Sequence, residues 1–179
     1  LLPSTSEQST DVINPSTGQK IFSLPIGSVE DVNKAVQSAR TAFEDGRWQS
    51  LLPSKKKSVL YQFADLVKEN AVELDRLDAE EMGKPVGLAM AGAAAGSELL
   101  RFNAEALDKI SANVFTSDNA SFISERLVPR GVIGAITPWN FPVHSALVKA
   151  APALAMGNSL VLKPSEFSSR SSIRLAQLA

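Results

Sequence analysis

Gly131-Val132-Ile133-Gly134-Ala135-Ile136-Thr137-Pro138-Trp139-Asn140-Phe141-Pro142 is the stretch that decides the fold class. Its first half is a short unbroken apolar run, the pattern of a strand covered on both faces. Two prolines then end the run, and Pro142 suits the first turn of a helix, where a missing N–H is no loss. Helical spacing follows over Val143 to Met156, a second apolar run over Ser159 to Leu162, and another helix from Ser171 to Ala179. This β-α-β-α alternation predicts a parallel sheet. Ligands of such sheets bind beyond the carboxyl ends of the strands, so the turn bearing Trp139 and Asn140 is the expected seat of chemistry. Two parallel strands cannot bury both faces of a sheet, so the sheet is expected to continue past Ala179 and the chain to be a truncated piece.

Upstream, Asp11 to Asn14, the Asn14-Pro15-Ser16-Thr17-Gly18 turn and Lys20 to Ile26 predict a small hairpin. Ser28 and Asp31 form a variant capping box. Val29, Val32, Val36, Ala39 and Phe43 then recur at helical spacing up to Gly46. A second helix starts at Pro53 with Val59, Leu60, Phe63, Leu66 and Val67 inward, and continues through Leu74 and Leu77 to Met82, where Gly83 and Pro85 stop it. A third is predicted from Val86 to about Ser111, with Gly92 and Gly96 leaving room for another backbone. Val114 to Thr116 and Phe122 to Val128 read as two short strands, an arm that needs a neighbour to cover it. The expected fold class is α/β, an incomplete Rossmann-like parallel sheet preceded by a helical segment and a short strand arm. Its parts are a hairpin and helical region over 1–113, the arm over 114–130 and the first β-α-β-α units of a dinucleotide-binding domain over 131–179.

Composition removes several classes of function. A net charge of −1 over 179 residues offers no electrostatic footprint for nucleic acid or an anionic membrane. Lys55-Lys56-Lys57, the single basic run, reads as a solvated helix face. No cysteine is present, which excludes disulfides, thiolate metal sites and a cysteine nucleophile within these residues. A lone His144 builds no metal site without carboxylates nearby. The polar run from Ser4 to Asp11 follows the first apolar residues at once, so no signal peptide is visible and a cytoplasmic location is expected. The most apolar stretch, Val86 to Gly96, is about half of what spans a bilayer. Asn119-Ala120-Ser121 matches the glycosylation pattern, and in a cytoplasmic protein it has no role.

Pro138-Trp139-Asn140-Phe141-Pro142, then Pro152-Ala153-Leu154-Ala155-Met156-Gly157-Asn158, then Leu162-Lys163-Pro164-Ser165-Glu166 together resemble the aldehyde dehydrogenase superfamily. Asn14 to Gly18, the first helix up to Trp48, and Met82-Gly83-Lys84-Pro85 resemble that family's opening residues, so the likeness covers all but about the first ten residues. It implies oxidation of an aldehyde to a carboxylate with NAD, or with NADP, through a covalent cysteine intermediate. The cysteine, the glutamate that activates water and a glycine-rich cofactor turn would all lie beyond Ala179. The 179 residues alone are therefore expected to be inactive and to bind NAD weakly.

The resemblance also implies roles for individual residues. Asn140 would donate an amide N–H to the oxyanion formed when the nucleophile adds to the aldehyde; read from the residues alone, without the motif, Asn140 caps the following helix. Ile136, Thr137, Pro138 and Trp139 would line the nicotinamide side of the cleft through their backbone, with burial in the core as the alternative for Trp139. Lys163, Ser165 and Glu166 would hold the adenosine ribose, and a carboxylate there favours NAD over NADP because it accepts from a 2′-hydroxyl and repels a 2′-phosphate. Phe141, His144, Ser145 and Val148 share a side of the helix leaving the turn and would line the aldehyde tunnel; for His144 a structural, hydrogen-bonded histidine is the alternative. The strand arm resembles the family's oligomerisation element, which implies a homodimer or homotetramer. Two other readings compete: a non-catalytic structural or nucleotide-binding derivative of the same scaffold, and a helical module in which Trp139 to Pro142 is an exposed docking peptide.

Overall fold

A computed structural model describes residues 4–85 and 91–179. Strands β1 (Ser9–Ile13) and β2 (Lys20–Pro25) pair antiparallel, with an irregularity between Val12 and Ile13. Their turn is built by Asn14: its Oδ1 accepts the Ser16 N–H at 2.9 Å, and its carbonyl accepts that of Gly18, which sits at φ +70°. Helix α1 (Val29–Glu44) opens on the expected capping box. Ser28 Oγ accepts the Asp31 N–H at 3.1 Å, and Asp31 Oδ2 accepts that of Ser28 at 2.9 Å. No residue of α1 is buried, so the stripe Val29, Val32 and Val36 faces solvent.

Helices α2 (Pro53–Glu69) and α3 (Ala71–Met82) replace the single long helix expected from the spacing. The break is Asn70. Its side-chain amide donates to the Leu66 carbonyl at 2.8 Å, competing with the backbone ladder, and its Oδ1 receives Arg174 Nη2 at 3.2 Å. On α2 the inward face is Leu60, Ala64 and Val67, while Val59 and Leu66 lie at its exposed rim. Gly83 ends α3 at φ +72° as expected.

Helix α4 (Gly92–Ala106) is shorter than the expected third helix, whose residues 86–90 lie outside the described ones. Together α2, α4 and α5 (Pro142–Ala155) enclose the core of Leu60, Ala64, Val67, Leu100, Val143, Leu147 and Ala151. The glycines of α4 do admit a close approach, but by side chains rather than by another backbone. A Cβ placed on Gly96 would lie 2.3 Å from Leu147 Cδ1, and one on Gly92 3.1 Å from Val143 Cγ1.

Between α4 and the sheet the predicted strand arm reduces to one antiparallel bridge, Val114 with Ser124, flanked by hydrogen bonds from Phe115 N to Ile123 O and from Glu125 N to Asn113 O. A two-stranded ribbon without a third strand or a covering layer is marginal, and Val114, Phe122, Leu127 and Val128 are all exposed.

Strands β3 (Val132–Ile136) and β4 (Ser159–Lys163) pair in parallel, Val132 opposite Ser159 through to Ile136 opposite Lys163, connected by α5 and followed by α6 (Arg170–Leu178). Asn158 sets this register. Its Oδ1 accepts the Gly131 N–H at 3.0 Å, its Nδ2 donates to Ala153 O at 3.1 Å, and the next residue, Ser159, donates to Gly131 O. The apolar runs were expected to be covered on both faces. Among the described residues they are not: Ala135 is buried, but Gly134 and Ile136 are exposed.

Candidate functional site

Beyond Ile136 the ladder gains one more bond, from Thr137 N to Lys163 O at 3.1 Å, and the chain then turns over the top of the sheet. Thr137 is buried with its hydroxyl unpartnered. Trp139 is 52 % exposed, so the alternative of a core tryptophan does not hold. Its carbonyl accepts Ser168 Oγ at 3.2 Å. Phe141 lies under the Lys84 ammonium, 4.3 Å from Nζ to the ring centroid.

Asn140 does not cap α5. The cap position is Phe141, which has no oxygen to offer, and Pro142 is the first helical residue. The orphan N–H of Val143 is met instead from another helix, by Asp78 Oδ2 at 3.1 Å. Asn140 is left exposed in the turn after β3, two residues before the first helical residue.

Because Ile136 pairs with Lys163, the two strands end side by side. Lys163 Nζ donates to Pro164 O at 3.1 Å and stands 3.5 Å from Glu166 Oε2. The Glu166 carboxyl is held below the usual carboxylate range by its own backbone N–H and by Lys163. Both side chains are more than half exposed, and such a pair contributes at most about 1 kcal/mol, so a ligand's hydroxyls can replace it at little cost. Ser165 is buried and shapes the turn, its Oγ accepting the Phe167 N–H at 3.3 Å. Ile136 and Pro138 are exposed at the same rim. Phe141 at the cap and Val148 on α5 are exposed, and Ser145 and His144 of α5 are half-buried, opposite the Val143, Ala146 and Leu147 face that enters the core. Among the described residues no group of three potential metal ligands is found, and no helix is long and apolar enough to cross a membrane.

Three carboxylates escaped the sequence reading. Asp75, Asp78 and Glu81 are buried on one face of α3, and each binds the start of a different helix. Asp75 Oδ1 accepts the Ala93 N–H of α4 at 2.9 Å, Asp78 that of Val143 in α5, and Glu81 Oε2 that of Arg170 in α6 at 3.0 Å. The signal was present: acids at three-residue spacing interleaved with Leu74 and Leu77 fall on the apolar stripe, where an acid has to find partners. Among the described residues, Glu81 Oε1 and the hydroxyls of Ser169 and Ser172 are buried without a hydrogen bond, and Ser171 lies beside the Asp78 carboxyl. Burial pushes Asp78 up to about 6, against the Ser171 hydroxyl and the Val143 N–H, and Glu81 up to about 7, against the Arg170 N–H and guanidinium.

A carboxyl raised in this way favours the folded state when protonated. The contribution of Glu81 is complete below about pH 4 and is lost as the pH rises through about 7. Raising the pH from 5 to 8 should therefore lower the unfolding free energy measured in urea, by up to about 3 kcal/mol for this group. Glu81→Gln, always neutral, should flatten that slope, and an unchanged slope in the variant would contradict the assignment.

The model of the aldehyde dehydrogenase family matches residues 2–179. An aldehyde dehydrogenase of Enchytraeus buchholzi is 39% identical over 177 residues, 98% of this chain and 36% of that protein. The NADP/NAD-dependent aldehyde dehydrogenase PuuC of Escherichia coli (strain K12) is 39% identical over 170 residues, 94% of this chain and 34% of that protein. In three dimensions the chain is similar to a mutant of the P. syringae indole-3-acetaldehyde dehydrogenase AldA in complex with NAD+ and IAA. The TM-score is 0.95 at 38% identity, covering 99% of this chain and 36% of that one. The chain thus spans about a third of the length of these relatives, and over that span it belongs to the aldehyde dehydrogenase family.

Proposed function

We propose that these residues form the oxyanion and dinucleotide half of an enzyme that oxidises an aldehyde to a carboxylate with NAD, its cysteine nucleophile lying outside the 179 residues. The observation that carries this reading is the uncommitted Asn140, exposed where β3 ends, with the Val143 N–H satisfied by Asp78 and not by Asn140. An amide at that place donates to an oxygen that becomes negative as a nucleophile adds to the carbonyl, and it does so without titrating. The same exposure would serve a docking peptide, but membership of the family favours the enzyme. Nothing specific favours a non-catalytic derivative.

Bound NAD would supply the acceptor for the hydride that leaves the adduct. The residues present fit such a group. Glu166 can accept from a ribose hydroxyl while Lys163 donates to one, and their exposed pairing leaves both free to do so. Ile136 to Trp139 offer backbone at the rim of the sheet for the nicotinamide end, and Thr137 has a buried hydroxyl in need of a partner. Glu166 favours NAD over NADP by repelling a 2′-phosphate. Phe141, His144, Ser145 and Val148 form the outward face along which the aldehyde would approach. The bridged arm around Val114 and Ser124, apolar and exposed, is the surface through which the intact protein would form a homodimer or homotetramer, and the location would be cytoplasmic.

NADH formation tests the proposal. The intact enzyme that carries these residues should reduce NAD in the presence of an aldehyde, with a higher kcat/KM for NAD than for NADP, whereas the 179-residue chain alone should produce none. Steady NADH production by the isolated chain would overturn it.

A further inference from the structure

The start of α5 poses a competition. Asparagine is among the best helix-capping residues, and Asn140 stands one residue before the cap position with a helix whose first N–H groups have no intrahelical partner. Left to local preference, the side chain would fold back onto those N–H groups and be lost to any ligand. The structure removes the incentive by supplying a carboxylate from elsewhere: Asp78, 65 residues earlier in sequence on α3 and 5 % exposed, takes the Val143 N–H at 3.1 Å.

We infer that Asp78 is a positioning residue for the oxyanion site: by capping α5 in place of Asn140, it keeps the Asn140 amide turned toward the reacting aldehyde. The inference rests on the reading of Asn140 as the oxyanion donor.

Three features of the geometry support it. Asp78 meets the turn at the Val143 backbone and is itself approached by Ser171 of α6, so its influence on Asn140 passes through the turn. The turn is held on its other sides by groups that bind neither Asn140 nor the helix N–H: Ser168 Oγ on the Trp139 carbonyl and Lys84 over the Phe141 ring. Those contacts fix where the turn lies and leave the rotamer of Asn140 to be decided by whether the Val143 N–H is free. Gly92 is part of the same arrangement. A Cβ there would stand 3.1 Å from Val143 Cγ1 and 4.0 Å from Asp78 Oδ2, so glycine lets α3, α4 and the start of α5 meet closely enough for the bond to form.

Asp75 provides a built-in control. It is as buried as Asp78 and lies on the same face of α3, but it caps α4 at Ala93. If the carboxylates only hold helices together, removing either should have the same consequence.

The experiment is single-turnover NADH formation in the intact enzyme, with NAD affinity measured by fluorescence titration. Asp78→Leu should slow the hydride-forming phase about 10- to 100-fold with NAD affinity within about two-fold, because only transition-state stabilisation is lost. Asp78→Asn, which keeps an acceptor for Val143, should stay within about three-fold of the parent, and Asp75→Leu should keep the parent rate. Asp78→Leu added to Asn140→Ala should slow the reaction no further, since the residue that Asp78 positions is already gone. If Asp78→Leu does not fold, Asp78→Ser, too short to reach Val143, carries the same expectation. Equal losses in Asp75→Leu and Asp78→Leu, or additive losses with Asn140→Ala, overturn the inference. A parental rate in Asn140→Ala would instead overturn the reading of Asn140 itself, and so distinguishes the two failures.

Discussion

Asn140→Ala in the intact enzyme should lower the rate of hydride formation about 10²- to 10³-fold while leaving NAD affinity unchanged, the loss expected when one preorganised oxyanion donor is removed, about 2.7–4 kcal/mol. The size of the effect follows from place. Asn140 stands exposed in the turn after β3, and the N–H of the helix behind it is already bonded, so its amide reaches a developing charge without first breaking a bond. Asn140→Asp should be at least as damaging, because an anion then faces an anion. A fall in NAD affinity with an unchanged single-turnover rate would assign Asn140 to cofactor binding instead.

The largest expected effect on stability lies where α4 crosses α5. Leu147 is fully buried and fills the space above Gly96, so Leu147→Ala should cost about 3–5 kcal/mol through lost transfer energy and the cavity it leaves. Gly96→Ala pushes in the opposite direction: its methyl would meet Leu147 Cδ1 at 2.3 Å, and the overpacking should cost about 1–3 kcal/mol. Combined, the two should cost clearly less than their sum, since the new methyl enters the space that the leucine vacates. Urea unfolding of the single and double variants measures this, and strict additivity would mean that the two residues do not share that space.

Much of the architecture could be read from local pattern, because the deciding elements carry local signals. The capping box at Ser28 and Asp31, the Gly83 stop, Pro142 at the first turn of α5, and the apolar runs of β3 and β4 are each determined by residues close in sequence. What escaped was decided at a distance. The spacing from Leu66 to Leu74 is helical throughout, yet α2 ends at Asn70, whose side chain bonds back to Leu66 O and is held by Arg174 from α6. Residues 114–128 have the composition of strands, but among the described residues no layer covers their apolar side chains, and a single bridge forms. At the proposed site, the sequence pointed to Asn140, Lys163 and Glu166 through motifs that a family shares. The carboxylates of α3 were not, since an acid on an apolar stripe makes sense only once the helix starts at Ala93, Val143 and Arg170 converge on it.

The most direct test of the central claim is a crystal structure of the intact enzyme trapped with the aldehyde-derived adduct. The Asn140 Nδ2 should lie about 2.7–3.1 Å from the adduct oxygen, with Asp78 still on the Val143 N–H. An Asn140 side chain folded back onto the start of α5, with the adduct oxygen bound elsewhere, would contradict the account.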